Sequence, residues 1–75
     1  MTVEPKKSWT VASDVSSRDG IGIELSINDE LVLEIFRDDT AKTREVTLYR
    51  KNVSLELLEE SIATFKREIP WDFVD

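Results

Sequence analysis

Cysteine and histidine are both absent from the chain. Without thiols there are no disulfide staples and no cysteine nucleophile, and without either residue there is no Cys/His set for structural zinc. The commonest general base is missing as well. Glycine is restricted to Gly20 and Gly22, which leaves no glycine-rich loop to cradle a phosphate. The stretch Asp38-Asp39-Thr40 lacks the spaced oxygen ligands of a calcium loop. No apolar run is long enough to cross a membrane. Residues Met1 to Lys7 are polar, and no apolar run follows Pro5-Lys6-Lys7, so no secretory signal is read there. These absences lead us to expect a cytoplasmic, non-enzymatic protein with no catalytic residues, no cofactor and no metal.

Charge is unbalanced. Sixteen acidic against ten basic side chains leave a net charge of -6. That sign maintains solubility and disfavours phosphate backbones, so neither nucleic acid nor membrane is the expected partner. At 75 residues the chain has room for one domain, whose single core must be nearly complete to hold as a monomer. A homodimer is the other way to complete it.

The stretch from Gly20 to Arg37 organises what is present. Ile21, Ile23, Leu25 and Ile27 alternate with small or polar residues, and Leu31, Leu33 and Ile35 repeat the period after Asn28-Asp29-Glu30. A period of two marks strands with one buried face. Pairing Ile27 with Leu31, Leu25 with Leu33 and Ile23 with Ile35 puts every apolar residue on that face. A two-residue loop would scramble the faces, so a loop of odd length, three or five residues, is expected.

Ser8 to Val15 reads as a preceding strand, with Val15 against Ile21, Val11 against Leu25 and Trp9 against Ile27. Gly20 closes the intervening turn through a positive φ. Arg44 to Lys51 reads as a fourth strand, with Val46 beside Ile35 and Leu48 beside Leu33. It follows a loop of about four residues begun by the Asp39 side chain. Ser54 is placed as a helix N-cap, with Val53 and Leu58 as a hydrophobic staple. Leu55, Leu58, Ile62, Phe65 and Ile69 form the apolar stripe, and Pro70 ends the helix near Glu68. The expected fold is α+β: a four-stranded antiparallel β-meander with one C-terminal helix packed on one face, in two layers. Within a single domain 1–75, residues 1–7 form a flexible arm, 8–51 the sheet, 54–69 the helix and 70–75 an apolar tail.

On the outward face these registers set Gly22 opposite Phe36 and Glu24 opposite Glu34, with Glu45 and Tyr49 on the next strand. An aromatic over a glycine is a packing device, and facing carboxylates repel mildly. The functional reading is a protein-binding face with Phe36 and Tyr49 as footholds and Glu24, Glu34 and Glu45 selecting a basic partner. Trp71 and Phe73 in the tail either fold back on the core or dock elsewhere. The element order resembles, in topology alone, the half-barrel unit of single-strand DNA-binding coactivators and Whirly-type proteins. That resemblance implies bases stacked on Phe36 and Tyr49, against the acidic character of this sheet. The first expectation is therefore a small acidic interaction module of the immunity, antitoxin or regulatory-binder kind, with a single-stranded nucleic-acid binder as the alternative.

Overall fold

The computed structural model describes residues 4–16 and 18–74. Residues 1–3 of the expected arm and Asp75 of the tail lie outside them. Four antiparallel strands run in sequence order, β1 Lys7–Asp14, β2 Gly20–Ile27, β3 Glu30–Asp38 and β4 Thr43–Leu48, followed by helix α1 Leu55–Glu68. The fold is the expected α+β meander with a C-terminal helix against one face.

The central register is as read: Leu25 faces Leu33, Ile23 faces Ile35, Glu24 faces Glu34 and Gly22 faces Phe36. The loop is not. It has two residues, Asn28 and Asp29, with φ of 51° and 68°. Two positive φ angles suit the right-handed strand twist, and Asn and Asp tolerate them. The frame shift that such a loop creates is absorbed by a bulge, where Ser26 faces Leu31 and Ile27 faces Glu30. Val32 is the extra residue. It joins the core fully buried, while Leu31 is left partly exposed. This bulge, which alternation does not reveal, repairs the faces just beyond the turn.

Along β1 the pairing is displaced by two residues from expectation: Trp9 faces Leu25, Val11 faces Ile23 and Ser13 faces Ile21. A two-residue slide preserves which face each side chain occupies, so periodicity cannot detect it. Val15 consequently stands outside the strand and is exposed. Gly20 does not take a positive φ. It is required for another reason: a Cβ there would lie 1.8 Å from the Arg37 carbonyl oxygen. Between β3 and β4 the expected pairs Leu33–Leu48 and Ile35–Val46 are present, across four residues of loop. The turn is built by Asp38, not Asp39, its Oδ1 accepting from the amides of Thr40 and Ala41 at 3.0 Å each.

Ser54 caps α1, its hydroxyl accepting from the Leu57 amide at 3.1 Å. Of the expected stripe, Phe65 and Ile69 are buried in the core and Leu58 and Ile62 pack against it, and the buried side of the helix extends to Ser61 and Thr64. Ser61, Thr64 and Phe65 are its buried residues, whereas Leu55 is exposed. Trp9 explains the burial of Ser61 in part: its indole N–H donates to the Ser61 hydroxyl at 3.3 Å, and that hydroxyl donates to the Leu57 carbonyl at 2.9 Å. A buried indole needs such a partner.

The helix packs on β2 and β3. Its width of about 10 Å spans roughly two strands spaced about 4.8 Å apart. Val46 and Leu48 of β4, expected beneath it, are therefore left 47% exposed each. The core proper joins Ile23, Leu25, Ile27, Val32, Leu33 and Ile35 to Phe65 and Ile69.

Candidate functional site

The outer face of the sheet is closed at its centre by one side chain from the β1–β2 loop. Arg18 folds back so that its guanidinium carbon sits 3.7 Å from the Phe36 ring centroid. Its Nη1 and Nη2 reach the two Glu34 carboxylate oxygens at 2.7 and 3.0 Å, and its Nε lies 3.4 Å from Asp14. On its other side the Phe36 ring borders the glycine strand, where a Cβ at Gly20 would sit 3.2 Å from the ring. Phe36 and Glu34 are consequently buried, at 2% and 7% exposure. The paired carboxylate holds Arg18 firmly in its charged form. Asp14 is held below the usual carboxylate range, first by the Ser16 amide and hydroxyl and then by Arg18.

Of the outer-face residues singled out in the sequence, Glu34 and Phe36 are thus engaged within the fold and offer a partner no free carboxylate or ring. Glu24 is partly exposed beside Glu34, and Glu45 is exposed on β4. Tyr49 is 51% exposed, and its amide donates to the Val32 carbonyl at 2.8 Å.

Trp71 and Phe73 lie on the opposite face, folded back against the β3–β4 end of the sheet. Arg44 organises them. Its guanidinium carbon is 3.8 Å from the Trp71 ring centroid and 4.2 Å from that of Phe73. Its Nε and Nη2 donate to the Trp71 carbonyl at 3.1 and 2.6 Å. Arg37, directly across from Arg44, is buried and donates to the Pro70 carbonyl at 2.7 Å. Two facing arginines would repel, but Asp39 holds Arg37 through both carboxylate oxygens, at 2.9 and 3.1 Å. Asp39 Oδ1 also accepts the Val74 amide at 3.0 Å. That amide, followed by Arg37, keeps its carboxyl below the usual range. Trp71 remains 50% exposed and borders a cavity of about 330 Å³ with Lys66.

The residues singled out therefore divide between the two faces, and β4 is the element common to both. Glu45 and Tyr49 extend from its outer side, and Arg44 holds Trp71 and Phe73 on the other. Val46 and Leu48, assigned to the core from their alternation, complete an edge strand that is open on both faces. Their exposure had no signal in the sequence, because a half-covered strand alternates like a fully covered one. Arg18 was equally hidden: only the tertiary fold brings a loop arginine over Phe36. Among the described residues no three acidic side chains group as a metal ion would need. No helix among them is long and apolar enough to cross a membrane.

No protein-family model matches the chain, and neither curated proteins nor solved structures show significant similarity to it.

Proposed function

We propose that the protein is a small, non-catalytic protein-interaction module that receives an extended partner segment along β4. The observation that carries this reading is the edge itself: β4 is last in the sheet order and half-exposes Val46 and Leu48, with Tyr49 half exposed just beyond its end. An edge strand presents unpaired backbone groups, and natural sheets cover or charge such edges unless another chain adds to them. Strand addition obtains affinity from main-chain hydrogen bonds and specificity from alternate side chains, here Val46 and Leu48 on one side and Glu45 on the other. Glu45 disfavours a carboxylate at the facing position of the incoming segment. At the other edge, Lys7 of β1, a charged side chain of the kind that discourages strand addition at that end, reaches Glu60 at 2.8 Å and lies over Trp9. The lack of cysteine supports a reducing, cytoplasmic setting.

Affinity capture with nuclease-treated lysate tests the reading, using wild type and Val46→Pro as baits. Proline removes an edge N–H without breaking the bonds to β3. Partners retained by wild type and lost by Val46→Pro are the expected result. Partners retained equally by both baits, or released by nuclease, overturn it.

A further inference from the structure

We infer that the segment received by β4 is β4 of a second copy, paired antiparallel about a two-fold axis at Val46. The inference rests on the edge-strand reading above and names its occupant. The backbone geometry comes first. The Tyr49 amide donates to the Val32 carbonyl, so in the alternating antiparallel ladder the odd-numbered residues of β4 bond to β3. Arg44, Val46 and Leu48 therefore direct their N–H and C=O groups away from the sheet. These are also the residues whose side chains share the helix-facing side with Leu33, Ile35 and Arg37.

A two-fold perpendicular to the sheet pairs residues of equal parity, which leaves few registers for so short a strand. Centred on Val46, the register sets Val46 against Val46 of the second copy, Arg44 against Leu48 and Glu45 against Thr47. No like charges meet within the strand. All three outward-directed residues find partners. Centred on Thr47, the register would set Arg44 against Arg50, which lies beyond the strand, so Arg44 would lose its ladder partner. Centred on Leu48, it would need residues 49–52, where the chain has already left the strand. Beyond the ends of the Val46-centred register, Lys42 and Arg50 approach, but Arg50 is directed to Glu30 at 3.7 Å and Lys42 to the Val74 carbonyl at 3.4 Å.

The same register places the apolar side chains well. Val46 and Leu48, each half exposed in the single chain, become a continuous stripe with their copies. Leu48 of one chain comes to lie beside Arg44 of the other, on which Trp71 is stacked. The charged residues of β4 also fit self-pairing. Arg44 is already engaged by the Trp71 carbonyl and ring, and Glu45 faces a threonine, not a second carboxylate. A chain this small, without cysteine for a disulfide, gains stability from association through mass action.

The experiment combines sedimentation equilibrium of the full chain with a scan of single cysteines. The chain contains no cysteine, so each introduced thiol reports alone. Wild type is expected to form dimers at chain concentrations below about 1 mM, and Val46→Pro to weaken the dimer at least about tenfold. Among Glu45→Cys, Val46→Cys, Thr47→Cys and Leu48→Cys, only Val46→Cys places its thiol opposite itself. Paired Cα atoms there stand about 5.5 Å apart, within disulfide reach, so it should cross-link fastest under mild oxidation. Circular dichroism of each variant checks that it is folded. A monomeric wild type overturns self-pairing, as does fastest cross-linking at another position or a dimer unaffected by Val46→Pro. A monomer leaves the edge-strand reading standing on its own capture experiment. Capture that is indifferent to Val46→Pro removes that reading whatever the oligomeric state.

Discussion

Arg18 lies flat over the Phe36 ring at 3.7 Å and grips Glu34 with two parallel hydrogen bonds. The three side chains come from a loop and one strand, and together they close the outer face of a sheet that the helix covers only from the other side. A planar guanidinium suits both contacts at once, which a lysine ammonium does not.

Glu34→Gln should therefore destabilise the protein. The change leaves a charged, partly buried guanidinium with a weaker acceptor, at a cost of about 1–2 kcal/mol. Arg18→Lys should cost a similar amount by losing the bidentate geometry and the stacking. Urea unfolding of both single variants and of the double variant measures the coupling. Additive effects would separate the two residues.

Gly22→Ala should be among the most damaging single changes. A Cβ at Gly22 would lie 2.2 Å from the Ile35 carbonyl oxygen and 2.8 Å from the Phe36 Cα, both backbone atoms that cannot swing aside. Forcing such a contact costs at least about 1–3 kcal/mol. Thermal unfolding reads the loss. A variant that melts with wild type would place the strands farther apart than described.

Acid should loosen the tail. Asp39 is held low by the Val74 amide and then by Arg37, and Asp14 by Ser16 and then Arg18. Each folded carboxyl binds its proton less readily than the unfolded one. The stability they contribute is thus complete above the unfolded value of about 3.9 and is lost as pH falls through their lower folded values. Stability should decline with falling pH across that window. Asp39→Asn should decline less steeply, and exchange of the Val74 amide should quicken at neutral pH. A variant with the wild-type pH profile would remove Asp39 from this role.

The strand period of two, the Ser54 cap and the helical spacing from Leu58 to Ile69 determined the element order and the pairing of β3 with its neighbours in the centre of the sheet. Those features are local, or they repeat along a register whose faces must match, so one chain suffices to read them. The exclusion of thiol and imidazole chemistry was equally readable, because it depends on composition alone. What tertiary structure decided has a different physical origin. The bulge at Val32 trades one unpaired residue for a two-residue turn, and alternation by itself cannot say which arrangement costs less. The β1 register slides by two residues at no change of face. Leu33, beneath the helix, and Leu48, beside it, have the same sequence pattern, and only the width of one helix against four strands separates core from open edge. Arg18 and Arg44 are two of several basic residues in the sequence. Glu34 and Phe36 lie 16 or more positions from Arg18, and Trp71 and Phe73 lie farther still from Arg44, so only chain folding brings them within contact distance.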